Sequence, residues 1–230
     1  MEIARAAAGL FVRRGLRATR AEDIAQAAGI APRTFYRYFA TKEEAVAPLY
    51  AAGAQRWAEA VREAPAGLSV PEALEHAIRH TLTPGLGVSA ASWEWVRTLI
   101  HLANTSPAIG KVWAEVCRAS EDMLAEVLAE RARAGTSSVT ERQDNVADRI
   151  TVTPELRFTA AVASAAVRVA VESWASGPAP ASGPNGPAPA SGPNGPAPAS
   201  GPNGPAELAL RNLGALRGFR WEGEAEAGGH

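Results

Sequence analysis

A helical hydrophobic period recurs along almost the whole chain, and it limits the possible folds more than any other feature. Apolar residues return every three to four positions in nearly every patterned segment, while short alternating runs of β-branched residues between turns are nearly absent. An all-α fold follows. Ile3, Ala7, Leu10 and Phe11 share one stripe of a first helix predicted over 2–14, closed by Gly15. Thr19 and Glu22 have capping-box spacing and predict a second helix that runs to Ala28 and stops at Gly29. Pro32, a favoured first-turn residue, opens a third that ends near Phe39. Thr41 and Glu44 predict a fourth reaching Glu63. Pro48 falls inside that helix, where its missing amide predicts a kink or a loosened turn. Further helices are predicted over 70–82, 90–104, 107–133, 154–175 and 206–218, with 135–152 as a polar loop.

Composition narrows the function classes. A chain of 230 residues with 47% hydrophobic content has ample material for a buried core. Its one cysteine, Cys117, excludes an internal disulfide framework and a thiolate-rich zinc module, and fits a reducing, cytoplasmic setting. No apolar run is long enough for a membrane span, and the first residues lack the layout of a signal peptide, so no membrane partner is expected. The net charge of −1 hides an asymmetry. Residues 1–50 hold eight basic and five acidic side chains, a local balance of +3, and the remainder carries −4. A basic head on an acidic body points to a polyanion partner for the head alone.

Residues 177–203 are three perfect copies of Gly-Pro-Ala-Pro-Ala-Ser-Gly-Pro-Asn. Uncharged and proline-punctuated, the tract can neither fill a core nor pair as strands, and reads as a disordered linker over 177–204. Its length costs little, because closing a longer loop adds only about 0.6 kcal/mol per doubling.

The chemistry concentrates between Ala21 and Phe39: a short helix, a turn at Gly29-Ile30-Ala31, and a second short helix rich in basic and aromatic side chains. That is the design of a helix-turn-helix. Ile24, Ala25, Ala28, Ile30 and Phe35 form the apolar wedge between the two helices, leaving Arg33, Thr34, Tyr36, Arg37 and Tyr38 to point away from it. A helix is narrow enough to enter the major groove and hold such side chains against base edges.

Taken together, Ile3-Ala4-Arg5-Ala6-Ala7, Leu10-Phe11, Arg14-Gly15-Leu16, Ala18-Thr19, Asp23-Ile24-Ala25, Ala28-Gly29-Ile30, Thr34-Phe35-Tyr36-Arg37-Tyr38-Phe39 and Thr41-Lys42-Glu43 resemble the amino-terminal DNA-binding domain of TetR-family transcriptional regulators. The resemblance spans about the first 50 residues; the rest is similar only in being helical and of suitable length. It implies phosphate contacts for Thr19, Arg20 and Lys42, backbone and base contacts for Thr34, Tyr36 and Tyr38, and base or phosphate contact for Arg37. Arg33, where the family often has glycine, is the candidate for a bidentate guanine contact. Ala31 replaces the family's frequent serine or threonine cap, forgoing roughly 1 kcal/mol of helix stabilisation.

The resemblance also implies double-stranded DNA, a small-molecule effector and a second copy of the chain as partners, with 1–47 as the DNA-binding domain and 48–176 plus 205–220 as the effector-binding and dimerisation domain. Trp93, Arg97, Ile100 and His101 on the sixth helix, Trp113 and Cys117 on the seventh, and Phe158 and Val162 on the eighth are the candidate pocket residues. Plain core packing accounts for each singly. The small residues of 154–175, with Leu210, Leu213 and Leu216, suit a four-helix contact between two copies. Glu72, His76 and His80 share a helix face with metal-ligand spacing, but that face is opposite the buried stripe and reads as solvated, so neither a metal nor another cofactor is expected. No nucleophile–base pair or phosphate loop supports an enzyme. The expected function is a ligand-responsive repressor of a palindromic operator. The alternative is an all-helical small-molecule-binding protein whose head no longer binds DNA.

Overall fold

Local capping chemistry sets most helix ends in the computed structural model, which describes residues 1–86, 90–137, 152–177, 199–218 and 221. The helices are α1 (Glu2–Arg14), α2 (Ala21–Ala27), α3 (Pro32–Tyr38), α4 (Ala47–Glu63), α5 (Val70–Leu82), α6 (Ala90–Thr105), α7 (Pro107–Ser137), α8 (Pro154–Ser176) and α9 (Pro205–Gly214), with a 3₁₀ turn at Glu44–Val46. Among the described residues there is no β-strand, and the fold is all-α as the periodicity requires.

Capping explains where several helices begin and end. Gly15 closes α1 with its amide on the Phe11 carbonyl. Ser69 opens α5 by donating its amide and hydroxyl to the Glu72 carboxylate at 2.9 and 2.7 Å. Thr153 opens α8 by accepting the Leu156 amide at 3.3 Å. Gly29 turns the chain between α2 and α3 at φ +69°, a left-handed conformation that a side chain disfavours.

Several boundaries depart from the sequence reading. Thr19 does not cap α2. Its hydroxyl donates to the Gly15 carbonyl at 2.9 Å and is fully buried, and the capping interaction shifts by one residue, the Arg20 amide donating to the Asp23 carboxylate at 2.9 Å. Pro48 does not kink a helix interior. It stands in the first turn of α4, and the 3₁₀ turn before it absorbs the break that its missing amide imposes. Helix α7 extends four residues past the predicted end, to Ser137, and α9 stops at Gly214 rather than 218. Most of the repeat tract, 178–198, lies outside the described residues, as does most of the predicted 135–152 loop. The last residues of the tract do fold: Gly204 donates its amide to the Gly201 carbonyl at 2.9 Å, and Arg211 reaches the Pro202 carbonyl at 3.1 Å.

Two hydrophobic cores organise the packing. The first joins Leu10 and Phe11 of α1, Ile24 of α2 and Phe35 of α3 to Val46 and Tyr50, then continues into Trp93 and Ile100 of α6 and Trp174 of α8. The second gathers Trp57 and Val61 of α4, Leu74 and Ile78 of α5, Leu124 and Leu128 of α7, Ala160 and Ala163 of α8 and Leu213 of α9. Each fully buried Phe, Leu or Ile contributes about 1.5–3 kcal/mol by leaving water. Helix α4 belongs to both cores. At the tight α6–α7 corner, a side chain at Gly110 would press on the Ala103 carbonyl at 2.9 Å.

Arg131 of α7 ties the α4–α5 connection. Its guanidinium donates to the carbonyls of Val61, Ala64, Pro65 and Leu68 at 2.6–3.3 Å, satisfying groups that a helix end leaves without partners. Arg131→Ala should lower unfolding free energy by about 2 kcal/mol, read as a fall in denaturant midpoint at unchanged slope.

Candidate DNA-binding surface and effector cavity

Burial sorts the side chains of α3 into two faces. Phe35 is completely buried against α1 and α2, with the Phe39 ring 5.5 Å away. On the outer face Arg33, Tyr36, Arg37 and Tyr38 are exposed and Thr34 is partly so. Tyr36, 52% exposed, donates to the Glu22 carboxylate of α2 at 3.3 Å, and Arg37 lies over the Tyr38 ring at 5.0 Å. No side chain caps the amino end of α3 at Ala31.

The expected phosphate contacts fare differently from one another. Arg20 is exposed beside α2. Thr19 is corrected: with its hydroxyl buried on the Gly15 carbonyl, its side chain cannot reach a phosphate. Lys42 donates to the carbonyls of Leu16 at 2.7 Å and Thr19 at 2.8 Å, clamping the α1–α2 turn, with Glu43 3.9 Å away. An ammonium has three donors, and these two carbonyls take two of them.

Below this head a cavity of about 410 Å³ opens between the two cores. Trp93 and Ile100 of α6 and Trp113 and Cys117 of α7 line it. Helix α4 supplies a wall that the sequence reading missed, with Leu49, Tyr50, Gly53 and Trp57, and α8 contributes Ser164, Val167, Arg168 and Val171. The signal was the three- and four-residue spacing of Tyr50, Gly53 and Trp57, which places them on one helix face.

Four expected pocket residues do not line the cavity. Arg97 donates to the Gly177 carbonyl at 3.0 Å and stacks on Trp174 at 5.5 Å. His101 is exposed, and Phe158 is 61% exposed. Val162 packs against the second core. The Glu72, His76 and His80 face is exposed as expected; Glu72 accepts the α5 cap bonds, and His80 reaches the cavity rim. Among the described residues, no group of three or more His, Cys, Asp or Glu side chains is placed to hold a metal ion.

Several polar groups in and behind the wall pair with one another. Trp113 donates its indole N–H to the Glu172 carboxylate at 2.7 Å, and Arg168 pairs with the same carboxylate at 3.3 Å. The Tyr50 hydroxyl donates to the Leu99 carbonyl at 2.7 Å, its ring sits edge-on to Trp113 at 5.1 Å, and burial raises its pKa. Burial pushes the Cys117 thiol up to about 12, against the opposing pull of the Arg168 charge.

The chain displays a basic and aromatic helix on a helix-turn-helix joined to a helical bundle that holds a cavity. Residues 3–47 match the family described as bacterial regulatory proteins, tetR family. That match covers the helix-turn-helix head alone. Over 138 residues it is 33% identical to the HTH-type transcriptional regulator TcmR of Streptomyces glaucescens, an alignment covering 56% of this chain and 58% of that protein. The chain thus spans less than two thirds of that relative's length. The fold is similar to that of Thermus thermophilus FadR, a TetR-family repressor solved with lauroyl-CoA, at TM-score 0.51 and 24% identity over 100% of this chain and 98% of that one. It is also similar to a TetR-family regulator from a Rhodococcus species, at TM-score 0.51 and 17% identity over 94% of each chain. No described helix is long and apolar enough to cross a membrane.

The thiol gives a pH-dependent prediction. An unfolded cysteine loses its proton near 9, before the folded one does, so the stability this site contributes is present below about pH 9 and is lost as pH rises toward 12. Cys117→Ser should flatten the alkaline fall in stability. At about pH 8 the folded thiol should alkylate at least tenfold more slowly than in urea.

Proposed function

We propose that the chain is a ligand-responsive transcriptional regulator that represses by binding a palindromic operator as a dimer. The observation that carries the reading is the outer face of α3: four exposed basic and aromatic side chains backed by a fully buried Phe35. Arg33 would read guanine in the major groove, Arg37, Tyr36, Tyr38 and Thr34 would contact bases and backbone, and Arg20 and Lys42 would hold phosphates. Residues 1–47 form the DNA-binding unit in this reading, and 48–176 with 205–220 the effector-binding and dimerisation unit.

Two copies are needed to place two recognition helices about 34 Å apart in successive grooves. Helix α8 supports that pairing with an outward stripe on which Phe158 and Val169 are exposed and Ala161 and Ala165 are half-buried. Small residues let a partner helix approach closely, and paired apolar faces leave water. An effector entering the cavity presses on α4 near Tyr50, whose ring continues into the core that holds α1 to α3. A shift there changes the spacing of the two recognition helices and releases DNA. Compounds carried as coenzyme A thioesters, such as the one held by Thermus FadR, belong among the effectors to be screened.

A gel-shift with DNA flanking the chain's own gene, at two salt concentrations, tests the reading. Binding should weaken steeply with salt. An absence of binding to every fragment would leave only a helical ligand-binding protein. Arg33→Ala should cost about 1–3 kcal/mol at one operator base pair and relax the preference there, whereas Lys42→Ala should weaken all sequences together. Val169→Glu should convert a dimer to a monomer in sedimentation and abolish operator binding.

A further inference from the structure

We infer that Tyr36 and Glu22 form an acceptor-only pair that reads an exocyclic amino group, of cytosine or adenine, in the major groove and rejects phosphate, which makes Glu22 a specificity-determining residue. The inference rests on the reading of α3 as the recognition helix and specifies what one part of that helix selects.

The two tyrosines of α3 stand in opposite hydrogen-bonding states. A phenol has one O–H to donate and lone pairs with which to accept. Tyr36 gives its O–H to the Glu22 carboxylate across the α2–α3 step at 3.3 Å, so its oxygen keeps only lone pairs for another partner. Its ring stands edge-on to the buried Phe35 at 5.5 Å, which fixes the direction in which that oxygen points. Tyr38 is the reverse. Its oxygen accepts from the Arg37 guanidinium at 3.2 Å, and its O–H has no acceptor among the described residues. Unesterified phosphate oxygens of a duplex accept hydrogen bonds and do not donate them. Tyr38 can therefore serve the DNA backbone, and Tyr36 in this state cannot.

Charge points the same way. Glu22 is exposed in the first turn of α2, and among the described residues no lysine or arginine forms an ion pair with it. A carboxylate left without a counter-charge repels the phosphates that any duplex brings up to α3. That penalty is alike for all sequences and is offset only where a base edge offers a donor. In the major groove cytosine N4 and adenine N6 are donors, whereas guanine O6 and N7 and thymine O4 are acceptors. Beside the Tyr36 and Glu22 oxygens, cytosine or adenine is favoured and guanine or thymine is opposed. Arg33, exposed on the same helix and carrying donors only, has the opposite preference. Helix α3 thus presents donors at one position and acceptors at another.

The test is selection of bound duplexes from a randomised library by the full chain and its Glu22→Gln, Tyr36→Phe and Tyr38→Phe variants. It is paired with anisotropy titration, for these and for Glu22→Ala, of the enriched duplex and of one of unrelated sequence. One position in each half-site should favour cytosine or adenine by about tenfold in the original chain. Glu22→Gln, whose amide donates as well as accepts, and Tyr36→Phe should both lose that preference. Tyr38→Phe should keep it and weaken all sequences together. Glu22→Ala should bind the unrelated duplex about two- to fivefold more tightly at low salt, because one repelling charge is gone. Glu22 is exposed, so its variants should melt as the original does; an unfolded variant would lose every duplex at once rather than the choice at one base pair. Unchanged preference in Glu22→Gln and Tyr36→Phe, a preference for guanine or thymine at the affected position, or no tighter binding of the unrelated duplex by Glu22→Ala would each overturn the inference and leave the regulator reading standing. An original chain that enriches no sequence sinks both.

Discussion

Helix α4 is anchored in two places, and the rest of the structure depends on that. Just ahead of it Val46 is buried among α1 to α3, with Tyr50 in the same core, while Trp57, Ala58 and Val61 are buried among α5, α7 and α8. Between those anchors lies a single turn, around Gly53, that belongs to neither core and borders the cavity. A packed core resists small displacements because its side chains interlock at near-crystalline density. A displacement of that turn would therefore be felt at both ends of the helix. Position in the fold makes α4 the natural link between whatever fills the cavity and the orientation of α3.

Charged side chains hold helix ends to neighbouring segments. Lys42 gathers the carbonyls of Leu16 and Thr19, Arg131 gathers four from the α4–α5 connection, and Arg97 takes the Gly177 carbonyl at the end of α8. Helix ends and tight turns leave carbonyls without intrahelical partners, and a cation also suits the negative end of a helix dipole. Lys42 ties the α1–α2 turn to the segment that leads into α4.

Much of the head was legible in the residues themselves. Gly15, Gly29 and Pro32 punctuate the chain through backbone geometry that depends on almost nothing distant, and the alternation around Phe35 sorts buried from exposed faces within one helix. Thr19 marks the limit of that reading. Its spacing to Glu22 satisfies a local capping rule, but the carbonyl of Gly15 lies within reach and the hydroxyl goes there instead. The cavity was half legible for a similar reason. Trp93, Ile100, Trp113 and Cys117 could be chosen because α6 and α7 are adjacent in sequence and must pack together. Phe158 is exposed and Val162 lies against the second core, and the α4 wall carries no signal that local pattern alone ties to α6 and α7.

The sequence by itself determined the helical class, the turn that sets α3 against α2, and the identity of the side chains offered on α3, because propensity, capping and period are fixed by neighbours a few residues apart. Tertiary structure alone decided which turns of α4 and α8 face the cavity, which polar side chains are consumed in tying helix ends, and that Gly53 borders open space. Those outcomes depend on how helices far apart in the chain cross and rotate, which is set by the summed fit of many buried side chains rather than by any local pattern.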